Sequence, residues 1–208
     1  LGKRMRAVTK LHDLDERFAE MDGFGEYRQV ISLPNPPLED ITTPEQGAEL
    51  ARVANDAMAE LVNRHPDRFA GFAAAIPMHN MDAAMVELHR VMDDLGARGV
   101  QIFTNINGRA LDDPNFMPVF DAMAEYDQPI WLHPVRTADV TDYAAEPKSR
   151  FELWWTFGWP YDTSVAMTRL VFDGLFDRHP DIKIITHHLG GMIPYFAGRV
   201  DGGLMVLG

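Results

Sequence analysis

The sequence contains no cysteine. Disulfide bonds and zinc sites built on thiolates are therefore excluded for these 208 residues. A metal site in this chain would have to use histidine, aspartate or glutamate, and such a ligand set suits a catalytic metal better than a structural one.

Positive charge is also scarce. The chain has 19 lysines and arginines against 31 aspartates and glutamates, which gives a formal net charge of −12 at pH 7. The basic cluster Lys3, Arg4, Arg6 and Lys10 is short and is confined to one end of the sequence. Because a polyanion would be repelled overall, we expect no nucleic-acid partner.

Long apolar runs are missing as well. No stretch approaches the ~20 consecutive apolar residues that a membrane-spanning helix needs, so we expect no membrane partner. The basic residues near Leu1 are not followed by the apolar segment of a signal peptide, which favours a cytoplasmic protein. Neither Leu1 nor the stretch 204–208 resembles a natural domain boundary, so we expect a piece of a longer chain.

Short apolar runs alternate with helical patterns along the sequence. The runs of strand length are 27–33, 69–76, 99–103, 129–133 and 181–187. Helical patterns are found at 44–64, from Asn80 to Gly96, at 115–126, at 162–178 and after Gly190-Gly191. Strands this apolar, in strict alternation with helices, predict a parallel sheet with helices packed outside it.

Two of these segments make specific predictions. In the helix at 44–64, Thr43 is the predicted N-cap, and the predicted inner face consists of Leu50, Ala54, Ala57 and Leu61. Residues 134–161 are predicted to form a long irregular stretch before the helix that begins at Asp162.

Two folds fit a parallel sheet of this kind, an open doubly wound sheet and a (β/α)8 barrel. No glycine-rich phosphate loop follows any predicted strand, since Pro34-Asn35-Pro36-Pro37 occupies the exit of the first one. This weakens a dinucleotide-binding interpretation. A barrel needs eight strands and typically ~250 residues, so about five strand–helix units predict an incomplete barrel.

Two histidines occupy the C-terminal ends of predicted strands, where barrel enzymes place their catalytic groups. His133 ends the run PIWLH, and His188 follows KIITH. Neutral imidazole binds zinc and similar ions, and it also transfers protons near pH 7. Side chains alternate along a strand, so His187 is predicted to point away from His188.

The segment KIITHHLGGMIPYFAGRVD at 183–201 resembles the amidohydrolase-related family typified by aminocarboxymuconate semialdehyde decarboxylase and γ-resorcylate decarboxylase. PIWLHP at 129–134 resembles the strand-five motif of that family. FGWPYDT at 157–163 and LDERFAEMDGFGEYRQVISLP at 14–34 resemble further segments. The resemblance covers nearly the whole chain and implies one barrel domain over residues 1–208.

The resemblance implies roles for individual residues. His133 matches a metal ligand, and the metal would be zinc or another divalent ion such as manganese. His188 matches the histidine that acts as acid and base beside the metal. Arg199 matches an arginine that binds a substrate carboxylate, in some members across a subunit interface. Trp159 and Phe157 are expected to line the substrate pocket.

The predicted activity is a metal-dependent, non-oxidative decarboxylation of an aromatic or unsaturated carboxylic acid. The partners implied are a small carboxylate substrate and further copies of the chain, in a homodimer or a higher homo-oligomer. The family's His-x-His pair and its metal-binding aspartate are not found in this sequence, so the barrel is expected to lack its first and last strands. The alternatives are a metal-dependent hydrolase or hydratase, or an inactive fragment without a complete metal site.

Overall fold

The computed structural model of the protein describes residues 6–207, except for the side chains of Leu204 and Leu207. Lys3 and Arg4 of the basic cluster lie outside the described residues. The strands are β1 (Gln29–Ile31), β2 (Phe69–Phe72), β3 (Ala74–Ala75), β4 (Val100–Phe103), β5 (Asn105–Ile106), β6 (Arg109–Ala110), β7 (Ile130–His133) and β8 (Ile184–Thr186). The helices are α1 (Leu14–Met21), α2 (Leu38–Ile41), α3 (Pro44–Arg64), α4 (Met81–Asp93), α5 (Met117–Glu125), α6 (Leu153–Thr156), α7 (Gly158–Phe172), α8 (Leu175–Arg178) and α9 (Ile193–Leu207).

The main strands run parallel. β1 pairs with β2, and β3, β4, β7 and β8 form a four-stranded sheet in that order. Ala73 joins the two sheets, because its N–H donates to Ile31 O at 2.8 Å while the next N–H, of Ala74, donates to Gly99 O at 2.9 Å. The predicted run 69–76 therefore lies between β1 and β4.

The core lies between these strands and the helices. Val100, Ile102, Ile130 and Leu132 alternate along β4 and β7, are almost fully buried, and belong to one hydrophobic cluster with side chains of α4 and α5. Burial of each such side chain stabilises the fold by about 1.5–3 kcal/mol. The residues between them, including Trp131 and His133, face the opposite side of the sheet.

Helix α3 forms as predicted, although a different face is buried. The Thr43 side chain accepts from the Gln46 N–H, and the Gln46 side chain completes a capping box. Leu50 is 45% exposed and Ala57 is also exposed, so the predicted inner face is wrong at these positions, whereas Leu61 packs against the core as predicted. The buried face consists of Gly47, Ala51, Asn55, Met58 and Ala59. The spacing of the larger apolar residues did not predict this face, because glycine, alanine and one asparagine form most of its contact with the rest of the protein.

Asn55 replaces a strand neighbour at the end of β3. Its amide Nδ2 donates to Ala75 O at 2.8 Å, and its Oδ1 accepts from the Ala75 N–H at 2.9 Å. Nδ2 also donates to Glu87 Oε1 at 2.7 Å, and Arg90 holds the same carboxylate. This buried network fixes α3 and α4 to the sheet.

The long connection after β7 contains more helix than predicted. α6 lies inside the predicted irregular stretch, and α7 begins at Gly158 rather than at Asp162. An ion pair of 3.2 Å between Arg136 and Asp162 ties the start of this connection to α7. The predicted helix at 162–178 is interrupted at Gly174, where φ is +78° and a second short helix, α8, begins.

The architecture is α/β and corresponds to an incomplete (β/α)8 barrel, as predicted. Within residues 6–207 the parallel strands occupy five neighbouring positions in the order β1, β2–β3, β4, β7 and β8, and they do not close on themselves. The antiparallel hairpin β5–β6, which turns at Asn107 and Gly108, was not predicted.

Candidate active site

The two predicted site histidines meet at the carboxyl ends of β7 and β8. His133 is the last residue of β7, and β8 ends at Thr186, which is paired with Leu132. The ring centroids of His133 and His188 are 5.2 Å apart. Parallel strands in adjacent positions thus bring together residues separated by more than fifty positions in sequence.

His133 is held in one orientation by its own main chain. Its Nδ1 lies 2.6 Å from Pro134 O, so Nδ1–H donates to this carbonyl. Nε2 then carries the lone pair, which is the usual arrangement of a metal-binding imidazole. Burial lowers the pKa of His133 to about 4, with a further contribution from His187. The ring is therefore neutral at pH 7 and suited to bind a cation.

His188 reaches the same place through a backbone kink. Its φ is +54°, and Leu189 and Gly190 that follow also have positive φ, so the strand geometry ends before it. The indole of Trp159 stacks on the His188 ring at 5.4 Å and 27°. Burial, followed by the nearby His187, lowers the pKa of His188. An imidazole with a lowered pKa is a stronger acid once it is protonated.

The prediction that His187 points away is wrong. β8 pairs with β7 so that Ile185 is opposite Trp131, and two residues later His187 lies on the same face as His133. Its ring centroid is 4.7 Å from that of His133, and its Nδ1 donates to Leu132 O at 2.9 Å. Strand alternation places His187 in the cluster, and the positive φ brings in His188.

The turn after His188 is fixed to the start of α7. A Cβ on Gly191 would lie 2.5 Å from Pro160 O, and the φ of Gly191 is +64°, so a residue without a side chain is required. The Ser164 hydroxyl donates to Pro160 O at 2.7 Å and accepts from the Met192 N–H at 2.8 Å.

Of the two predicted pocket aromatics, only one lies at the histidines. Trp159 packs edge-on against His133 with centroids 5.2 Å apart, and its Nε1–H donates to Arg136 O at 2.9 Å. Trp154 and Trp155 pack against Trp159. Phe157 is 65% exposed, and the structure does not bring it to the cluster. Its backbone caps the start of α7 while its ring points to solvent.

Arg199 is an exposed residue of α9. It lines an open, mostly apolar groove of about 590 Å³ between α7 and α9, together with Tyr161, Phe172 and Phe196. The assignment of Arg199 to substrate binding across a subunit interface stays a prediction.

Asn35 is a site residue that sequence reasoning missed. Its Nδ2 lies 3.3 Å from both Pro134 O and His133 Nδ1. The sequence contained a signal for it, because Pro34-Asn35-Pro36-Pro37 follows β1 directly. This loop therefore lies at the carboxyl end of the sheet, as His133 does.

Within the described part of the chain, no three histidine, cysteine, aspartate or glutamate side chains are arranged to bind a metal ion. His133 nevertheless fits a ligand, because its Nδ1–H is engaged by a carbonyl and its Nε2 makes no hydrogen bond to described residues. Among the same residues, no helix is both long enough and apolar enough to cross a membrane.

Two curated decarboxylases are similar to this chain in sequence. The chain is 35% identical over 199 residues to γ-resorcylate decarboxylase of Rhizobium radiobacter and 30% identical over 203 residues to 2-amino-3-carboxymuconate-6-semialdehyde decarboxylase of Dictyostelium discoideum. These alignments cover 90% and 97% of the chain but only 58% and 55% of the relatives. The chain thus spans little more than half the length of the curated relatives it matches.

A solved structure of 5-carboxyvanillate decarboxylase from Novosphingobium aromaticivorans superimposes with a TM-score of 0.85 at 30% identity. The superposition covers 95% of this chain and 56% of that one, which contains manganese and a substituted nitrobenzoic acid. The amidohydrolase family model matches residues 7–206. With the histidines at the strand ends, these matches show that the chain belongs to the amidohydrolase family.

Proposed function

We propose that the protein is a metal-dependent, non-oxidative decarboxylase of an aromatic or unsaturated carboxylic acid. The observation that carries this proposal is the histidine cluster at the carboxyl ends of β7 and β8, with Trp159 packed against both His133 and His188. The relatives named as decarboxylases support the same chemistry.

His133 would hold a divalent cation, zinc or manganese, through Nε2. A metal in this position supplies Lewis acidity and orients a carboxylate or a neighbouring hydroxyl. One imidazole retains such an ion weakly, so the ion would need further ligands beyond the described side chains. Manganese in the 5-carboxyvanillate decarboxylase structure supports a divalent metal here.

His188 would transfer the proton. When the bond between the ring carbon and the carboxyl group breaks, carbon dioxide leaves and the electron pair remains on the carbon. The His188 imidazolium then donates its proton to that carbon, and the neutral ring is reprotonated before the next turnover. Stacking on Trp159 keeps the imidazole in place, and the indole provides a flat wall for a planar substrate.

We also propose the wider features that the family resemblance implies. Residues 1–208 form one barrel domain, Arg199 binds a carboxylate of the substrate, and the protein acts in the cytoplasm as a homodimer or higher homo-oligomer. Size-exclusion chromatography with light scattering tests the oligomeric state, and its repetition with Arg199→Ala tests whether this residue affects assembly. The KM of the same variant tests whether it binds the substrate.

Carbon dioxide release by the full-length, manganese-loaded protein tests the activity. The candidate substrates are 2,6-dihydroxybenzoate and 5-carboxyvanillate, which structural relatives act on according to their names. We expect His188→Ala to lower kcat by about 100-fold or more. His89→Ala is the control, since His89 contacts Tyr126 away from the cluster. Near-normal turnover by His188→Ala would refute the acid–base role.

A metal-dependent hydrolase or hydratase would use the same residues. Release of an alcohol, amine or hydrated product without carbon dioxide would identify that second candidate. A full-length protein that binds no divalent metal would instead support an inactive protein.

A further inference from the structure

Asn35 connects two distant strand ends. It follows β1, whereas His133 ends β7, and the positions occupied by β2–β3 and β4 lie between these strands. The Asn35 amide nitrogen nevertheless lies 3.3 Å from Pro134 O and 3.3 Å from His133 Nδ1. The loop after β1 therefore extends across the mouth of the partial barrel and brings Asn35 to the candidate metal ligand.

The orientation of the Asn35 amide follows from the groups that it meets. Pro134 O is an acceptor that already receives a hydrogen bond from His133 Nδ1–H at 2.6 Å. Only the NH₂ end of the amide suits a carbonyl, so Nδ2 must face Pro134 O. Two donors thus converge on one carbonyl, and the His133 proton is kept on Nδ1.

This arrangement leaves the other end of the amide without a partner. Asn35 Oδ1 is buried and accepts no hydrogen bond within residues 6–207. A buried acceptor without a donor destabilises the folded state, and the two contacts of Nδ2 at 3.3 Å are long. Leucine has nearly the same shape and would not carry that penalty. Stability therefore does not explain an asparagine at this position.

We propose that Asn35 is a positioning residue. By donating a hydrogen bond to the Pro134 carbonyl, it holds that carbonyl where it accepts from His133 Nδ1–H. The imidazole is thereby fixed in the tautomer whose Nε2 is free to bind a metal. The inference deepens the proposed function and rests on it, because it treats His133 as a metal ligand. Partners of this kind orient the rings of metal-binding histidines and raise metal affinity.

The tautomer can be measured without metal or substrate. Long-range proton–nitrogen NMR correlations at pH 8 distinguish the Nδ1–H and Nε2–H forms of a neutral imidazole. We expect His133 to be wholly in the Nδ1–H form in the wild-type protein and to populate both forms in Asn35→Leu. Asn63→Ala, which changes an exposed asparagine of α3, should leave His133 unchanged.

Two further measurements separate positioning from a structural role. The Tm of Asn35→Leu should remain within about 2 °C of wild type or rise. In the full-length protein, Mn²⁺ affinity should fall about 10- to 100-fold, since it depends on the ring orientation. Asn35→Ala is measured in parallel, in case leucine does not fit.

The proposal is overturned if both variants keep His133 in the Nδ1–H form, or if both keep wild-type Mn²⁺ affinity. It is also overturned if both lose more than about 5 °C of Tm, because Asn35 would then be a structural residue. A shifted tautomer and weaker Mn²⁺ binding in a protein that releases no carbon dioxide would uphold the positioning role and reject the decarboxylase.

Discussion

Two groups of polar side chains contact strand ends in this protein, and they differ in how fully their hydrogen-bonding atoms are used. At β3, Asn55 engages the N–H and the carbonyl of Ala75 together with the Glu87 carboxylate. At β7, Nε2 of His133 makes no hydrogen bond to described residues, and Oδ1 of Asn35 is buried without a partner.

The difference separates a structural polar cluster from the candidate site. A buried polar atom without a hydrogen-bond partner destabilises the folded state by about 1–3 kcal/mol. The polar atoms of Asn55 have partners, so the cluster at β3 stabilises the fold. The cluster at β7 stabilises it less, because Asn35 Oδ1 has no partner. Both clusters lie at the same end of the sheet, but Asn55 and Glu87 are buried while Asn35 and His133 are only partly buried. The clusters also differ in their lone pairs. Those of His133 Nε2 and Asn35 Oδ1 accept no hydrogen bond from described residues, and such lone pairs are available to a ligand.

The largest effect is expected from breaking the satisfied cluster. Asn55→Ala leaves both backbone groups of Ala75 without their partner and removes one of the two donors to Glu87 Oε1, and we expect a loss of about 3 kcal/mol in the free energy of unfolding. Urea denaturation measures it, and Asn63→Ala on the same helix should change stability by less than about 0.5 kcal/mol. A loss below about 1 kcal/mol would contradict the structural role.

The unsatisfied cluster should show itself in pH dependence. In metal-free protein, burial lowers the pKa of His133 to about 4 from its ordinary value of 6.5. Between pH 6.5 and 4 the unfolded chain binds a proton that the folded chain does not, so stability falls as the pH falls. His133→Phe should remove roughly 2 kcal/mol of this decline. Equal slopes for wild type and variant, measured by denaturation from pH 7 to 4, would argue against a buried neutral His133.

A smaller effect is expected where the site is attached to the helix layer. Gly191→Ala places a Cβ against Pro160 O at a positive φ, and we expect a loss of about 1–2 kcal/mol. Gly202 of α9 has open space around its Cβ position, so Gly202→Ala is the control and should be neutral or slightly stabilising. If the two variants have the same Tm, the close packing of the turn after His188 is not important for stability.

The smallest effect is expected at Phe157. Its side chain is 65% exposed, so Phe157→Ala should change stability by less than about 0.5 kcal/mol and leave the KM unchanged. Trp159→Ala is the comparison and should raise the KM, since the Trp159 indole packs on both His133 and His188. Equal effects of the two substitutions would show that Phe157 belongs to the pocket after all.

The fold could be predicted because its strands are short, apolar and regularly spaced. The capping box at Thr43 and the helix capped by Asn80 were also readable, since local hydrogen bonds fix such boundaries. The hairpin β5–β6 was missed although Asn107-Gly108 is a strong turn signal, because two-residue strands carry no apolar pattern.

The site was harder to predict, and the histidines show why. His133 followed from its place at the end of an apolar run. His187 and His188 could not be oriented from sequence, because their directions depend on the register of β8 against β7 and on one positive φ. Asn35 required knowledge of which loop crosses the barrel mouth, and this is a property of the three-dimensional fold alone.

Ser164 has a consequence for where this chain can tolerate insertions. Its hydroxyl joins Pro160 to Met192, so the first turn of α7 and the segment after His188 form one frame. Trp159 and His188 lie on that frame, while most of the connection between Val135 and Arg150 lies outside it. Insertions into that connection, by natural variation or by loop grafting, should therefore leave the stacked Trp159 and His188 rings in place.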